Sequence, residues 1–145
     1  MKITDGLLGE HALFYQLFDA LEDVMSNASS AEDIQRAFAP LSRGVLSHAT
    51  IENDILFTAI AQGGSENGIT AAMRTEHREI EALSNAISKT RTLDEAHSAG
   101  QSLLDLLRDH FQREEEILFP LCEHALEPSR LEELGDRYKR ERGLR

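Results

Sequence analysis

Apolar residues recur at three- and four-residue spacing along almost the whole chain, and no segment of four or more residues alternates apolar with polar as a half-buried strand does. The chain is therefore predicted to be all-α. Turn-forming clusters fall at Asn27-Ala28-Ser29-Ser30, at Gln62 to Gly68, at Thr90-Arg91-Thr92 and at Glu127-Pro128-Ser129. They leave helices over about Asp5 to Ser26, Ala31 to Ala61, Ile69 to Lys89 and Leu93 to Leu126, with a short, highly charged fifth helix between about 129 and 142. Short connections make neighbours antiparallel, so an up-down-up-down four-helix bundle is expected, with the short helix added at the C-terminal end. Pro40 and Pro120 lie inside the second and fourth helices. Each deletes a backbone hydrogen bond and predicts a kink or break, which would split the second helix into a short piece and a long one.

With 145 residues the chain is expected to form a single domain over 1–145. A domain of that size buries roughly 68–70% of its unfolded surface, so no metal is required merely to hold it together. The 26 acidic against 15 basic residues give a formal charge of −11, which repels phosphate backbones and anionic lipid and argues against nucleic acid or a membrane as partner. The longest nearly apolar run, Ile55 to Ala61, is far below the ~20 residues that span a bilayer. A lone cysteine, Cys122, and a start without an apolar leader point to a reducing, cytoplasmic setting.

An internal repeat carries polar residues into this pattern. His48-Ala49-Thr50-Ile51-Glu52-Asn53-Asp54-Ile55-Leu56-Phe57 aligns with His110-Phe111-Gln112-Arg113-Glu114-Glu115-Glu116-Ile117-Leu118-Phe119 at His, Glu and Ile-Leu-Phe. Upstream, Glu10-His11 is echoed by Glu76-His77. Each half thus reads as Glu-His on one helix and His-x-x-x-Glu on the next, which predicts a two-fold pseudo-symmetric bundle. Residues i and i+4 of a helix lie only ~40° apart, so His48 and Glu52 share one face, as do His110 and Glu114. The apolar continuation at Ile55 and Ala59, and at Ile117 and Leu121, predicts that these faces are buried. Counted from their shared loops, His11 sits level with His48 and His77 level with His110, so four histidines and two glutamates converge on one layer.

One histidine on an apolar face would read as a hydrogen-bonded core residue; the paired pattern reads as a metal site. Imidazole nitrogen and carboxylate oxygen suit iron, manganese or zinc, two glutamates from facing helices can bridge two cations, and the mutual charge makes burial tolerable. Glu115 and Glu116 point well away from His110 and are expected to be solvated, His97 and His124 do not reach the layer, and Cys122 is assigned to packing. Glu10 and Glu76 can orient neighbouring imidazoles from behind, or lie in solvent.

These motifs, Glu10-His11, His48-x-x-x-Glu52, Glu76-His77 and His110-x-x-x-Glu114-Glu115-x-Ile117-Leu118-Phe119-Pro120, resemble those of the hemerythrin-like family of His-His-Glu cation-binding domains from about Leu7 to Leu126. The resemblance implies two iron ions with an oxo or hydroxo bridge. His11 and His48 would hold one, His77 and His110 the other, and Glu52 and Glu114 would bridge them. Where the family carries a second histidine on the third helix this chain has Glu81, placed by i+4 geometry to serve as a ligand in its stead. A carboxylate there would lower the redox potential and disfavour reversible oxygen carriage. The matching position on the first helix is Tyr15, which would approach the first iron, hydrogen-bond a bound ligand, or pack in the core.

The expected function is binding, sensing or reaction of O2, NO or peroxide at a non-haem di-iron centre, or iron handling, with manganese or zinc as substitutes. Leu7, Phe14, Phe57, Leu107 and Phe119 would wall the site from water. A second class is an iron-responsive interaction module whose folded state a partner reads, with the tail from Leu131 to Arg145 as the contact. A metal-free helical bundle is the third.

Overall fold

Helix starts are set by local capping. In the computed structural model of the chain, which describes residues 1–64 and 68–145, α1 (Ile3–Asn27) begins where the Lys2 amide donates to the Asp5 carboxylate at 2.9 Å. Ser30 accepts the Asp33 amide and starts α2 (Ala31–Ile51). Thr92 and Glu95 form a capping box that starts α5 (Leu93–Arg113), and α4 (Gly68–Ser88) lies between. The break expected at Gln62 to Gly68 is met at Gly64, whose φ of 72° only glycine adopts freely; residues 65–67 lie outside the described part.

The second and fourth rods are not uniform α-helices. After α2 the chain runs through a π-helical stretch, Glu52–Phe57, into α3 (Thr58–Gln62). After α5 it runs through another, Glu114–Leu118, into α6 (Phe119–Ala125). Both wide turns open at the repeat's glutamate. Pro120 follows the second, where the wide turn already departs from the α pattern that a missing amide would interrupt, and the rod continues through it. At the matching place in the first, Thr58 donates its hydroxyl to the Asn53 carbonyl at 3.1 Å, and Arg74 reaches the same oxygen at 3.3 Å. The interruption predicted at Pro40 is absent: α2 is continuous through it. Pro40 is on the exposed face, where water can satisfy the carbonyl left without an amide.

Among the described residues there is no strand, and no helix is long and apolar enough to cross a membrane. The apolar core is in two clusters. One gathers Leu7, Ile55, Phe57, Met73, Leu118 and Cys122; the other gathers Phe14, Val45, Ile80, Leu107 and Phe111. Between them lie buried His11, His48, Glu52, His77, His110 and Glu114, one helical turn from apolar neighbours on each side.

The short C-terminal helix α7 (Pro128–Glu141) lies along α1 and the first π-helical stretch. It buries Leu131, Leu134 and Tyr138. Two glycines permit the approach. A Cβ on Gly6 would stand 2.5 Å from the Tyr138 ring, and one on Gly135 would stand 2.0 Å from the Met1 carbonyl oxygen.

Candidate metal centre

Helices α2 and α5 touch, so the two glutamates that follow them meet in the middle of the bundle. All four imidazoles turn Nε2 toward them. His11 Nε2 lies 3.0 Å from Glu114 Oε2, His48 Nε2 is 3.3 Å from Glu52 Oε1, and His77 Nε2 is 3.1 Å from Glu52 Oε2, while His110 Nε2 contacts Glu114 Oε1. His11 and His48 bring their Nε2 atoms within 3.1 Å of each other. Two groups of potential ligands result: His11, His48, Glu52 and Glu114, and His77, His110, Glu52 and Glu114. Both contain both glutamates.

Three of the four outer nitrogens have hydrogen-bond partners that fix their rings. His48 Nδ1–H donates to Glu10 at 2.6 Å, His110 Nδ1–H to Glu76 at 2.8 Å, and His77 Nδ1–H to Asn53 Oδ1 at 3.0 Å. Each accepting oxygen takes a proton from Nδ1, which leaves Nε2 as the nitrogen that faces inward and would meet a cation after giving up any proton of its own. His11 Nδ1 lies 3.5 Å from Glu115, whose carboxylate also accepts the Tyr15 hydroxyl at 2.5 Å. Glu115 is thus not the solvated residue expected from helical angles alone. Tyr15 engages that carboxylate and packs on Phe18 and Phe111.

Electrostatics in the layer are set by the carboxylates. Burial alone would lower His48, but Glu52, Glu10 and Glu114 outweigh it and hold it well above its usual range. Glu114 and Glu76 likewise outweigh burial at His110 and raise it to about 9. Burial would raise Glu10, yet His48 and Arg142 bring it down to about 2. Burial would raise Glu114, yet the imidazoles of His11, His110, His48 and His77 around it hold it well below the usual range.

The four inward oxygens of Glu52 and Glu114 and the Nε2 of His77 are buried without a hydrogen bond, although imidazole nitrogens lie within ion-pair distance. Such groups are close enough to attract and misaligned for proton sharing. Lone pairs that converge without bonding to one another are what a cation's ligands present, and unfilled they would be costly. The residues present therefore fit a pair of metal ions.

Glu81 does not join either group. It is exposed and lines, with His77, Asn53, Arg74 and Arg78, a surface cavity of about 240 Å³. The inward stripe of α4 runs Met73, His77, Ile80, Ser84, Ile87, and position 81 falls off its edge. Ile117, expected to be buried, is 49% exposed, whereas its counterpart Ile55 in the matching wide turn is buried in the cluster that Leu131 and Leu134 of α7 complete. Cys122 is buried in the apolar cluster, its thiol pushed up to about 12 by burial and then by Glu52 and Glu114, so it is protonated packing. His97 and His124 are exposed and in neither group.

Leu7, Phe14, Phe57, Leu107 and Phe119 are all buried. To these the structure adds Phe111, stacked on His11 with centroids 3.9 Å apart, while Phe57 stacks on His77 at 5.9 Å. Asn53, Phe111, Arg113, Tyr138 and Arg142 were not singled out from sequence. Asn53 had a signal, since it matches Glu115 in the repeat; Tyr138 and Arg142 lie outside the repeat.

A family model described as the hemerythrin HHE cation binding domain matches residues 2–122 and 69–142 of the chain. No protein with a curated description matches, and no solved structure does.

Proposed function

Since the chain belongs to the hemerythrin HHE cation-binding domain family, we propose that it holds two iron ions and uses them to bind, sense or react with a small redox-active molecule, O2, NO or peroxide. One observation carries this reading: the two ligand groups share both buried glutamates, so Glu52 and Glu114 could each offer an oxygen to both of two cations. His11 and His48 complete one set of four donors, and His77 and His110 the other. Zinc is satisfied by four such donors, whereas iron takes more and keeps places open to small ligands. Iron, when bound, supplies a change of oxidation state and those open places.

The chain's own residues do the rest. Glu10, Asn53 and Glu76 hold three imidazoles by Nδ1 with Nε2 turned inward, and Glu115 puts a carboxylate beside the fourth. The aromatic rings of Phe57, Phe111 and Phe119 cover the layer and exclude bulk water, which limits entry to small molecules. With Glu81 outside both groups, the argument that a third-helix carboxylate lowers the potential loses its premise, and O2 binding stands beside reaction with it.

The interaction-module reading is less well supported, because the apolar face of the tail is spent on the chain's own bundle at Leu131, Leu134 and Tyr138. A partner reading that face would first have to lift the helix away.

Protein loaded anaerobically with Fe(II) should contain two irons per chain and develop near-ultraviolet charge-transfer absorption on oxidation. The spectrum should then respond to NO or peroxide. Fewer than one iron per chain after loading would overturn the reading. Glu81→Gln should keep both irons; loss of one would restore position 81 to the ligand set.

A further inference from the structure

The two halves of the repeat serve as controls for each other. In the second half, Glu76 accepts from His110 Nδ1 and is itself clamped by Arg113, which directly precedes Glu114. In the first half, Glu10 does the same for His48, but the residue that directly precedes Glu52 is Ile51, an apolar side chain in the core. The repeat leaves Glu10 without its cation. That cation comes from outside the repeat. Arg142, just past the end of α7, donates from Nε to Glu10 Oε1 at 2.5 Å and from an Nη to Glu10 Oε2 at 3.0 Å, and its other Nη donates to Ser47 at 2.6 Å. The Tyr138 hydroxyl donates to Glu10 Oε1 at 3.0 Å. Glu10 therefore meets a forked guanidinium, a phenol and an imidazole at once.

We propose that Arg142 and Tyr138 are positioning residues of the metal centre, and that α7 is the part of the fold that secures the His11/His48 position by holding Glu10 against His48. This rests on the di-metal reading above. A carboxylate bound by two nitrogens of one guanidinium is fixed in plane and angle. A fixed carboxylate in turn fixes the imidazole ring it accepts from and keeps its inner nitrogen a good donor to the cation. The fit of α7 depends on Gly6 and Gly135, where any side chain would meet Tyr138 or the Met1 carbonyl. The helix is thus seated closely enough to hold Glu10 still. Detaching it would loosen one metal and spare the other.

The test compares Arg142→Gln and Tyr138→Phe with Arg113→Gln and with Lys139→Gln, whose partner is Asp136 on the same helix. In iron-loaded protein mixed with a strong chelator, Arg142→Gln should release one of its two irons at least about tenfold faster than the unchanged chain, the scale on which such supporting partners act. Tyr138→Phe should do so less strongly, and Lys139→Gln not at all. The site is identified by the exchangeable imidazole N–H resonances of the metal-free and Co(II)-loaded proteins. Arg142→Gln should move that of His48 and leave that of His110, and Arg113→Gln should do the reverse. Arg142→Lys, which keeps the charge without the fork, should restore part of the retention and remains readable if the glutamine variant does not fold.

Release no faster than in Lys139→Gln, or equal movement of both resonances, would overturn the proposal. If the unchanged chain binds fewer than one iron, the di-metal reading falls and takes the metal-retention claim with it. The metal-free His48 resonance then reports on the Glu10 clamp by itself.

Discussion

Glu114→Ala should remove most of the iron from the protein, whereas Glu115→Ala should leave both ions bound with reduced affinity. The difference follows from reach. Glu114 is fully buried, its oxygens lie 3.0 Å from His11, 3.9 Å from His48 and 3.8 Å from His77, and it contacts His110, so it belongs to both ligand groups. Its removal takes a donor from each ion and unbalances the charge of the layer. Glu115 touches only the back of the site, 3.5 Å from His11 Nδ1 and bound to Tyr15. Supporting partners of that kind are worth about 10- to 100-fold in affinity, which saturating iron would mask. Metal analysis after gel filtration checks both variants. Equal losses would show that the two glutamates are not divided between ligand and support as their contacts indicate.

Gly135→Ala should be among the most destabilising single-methyl changes in the chain. The added carbon would stand 2.0 Å from the Met1 carbonyl oxygen and 3.1 Å from the Lys2 carbonyl carbon, and backbone gives way less readily than a side-chain tip. Overpacking of a close contact costs about 1–3 kcal/mol. The expected outcome is a lowered urea midpoint and a loosened α7, which carries Leu131, Leu134 and Tyr138 out of the core. Gly9→Ala is the matched control. That glycine lies within α1, and a Cβ there meets nothing within 4 Å, so alanine should raise stability by about 0.5–1 kcal/mol. A Gly135→Ala midpoint at or above that of the unchanged chain would mean that the two ends of the protein are not packed as described.

Most of the layer that carries the site was legible before the fold was known, and the reason is helical periodicity. His48 and Glu52, or His110 and Glu114, are one turn apart on faces continued by apolar residues, and spacing of that kind survives small errors in helix ends. The start of α5 was equally readable, because Thr92 and Glu95 state a cap in local chemistry. What failed was whatever depends on an assumption of uniform helix. Counting 100° per residue misplaces Glu115, which lies in a turn wider than that and comes out against His11, while Ile117 is exposed and its counterpart Ile55 is buried along with residues of α7. Glu81 failed for a related reason, since i+4 is only near the inward stripe, and α4 takes the i+3 step to Ile80 at that point. Pro40 was read as a break because its surroundings were unknown; on an exposed face its cost is met by water. Arg142 was illegible in principle. Nothing local ties it to Glu10, and only the packing of α7 along α1 brings the two together.

That last contact also bears on when the protein becomes whole. A chain made from its N-terminal end exposes Glu10, His11 and His48 early, and Arg142 emerges after both halves of the repeat. The second half has Glu76, Arg113 and Glu114 in place while α7 is still to come. Both ligand groups wait for Glu114, but the one whose histidines appear first also waits for Arg142 to hold Glu10, so the earlier-made half is the later one to have its support complete.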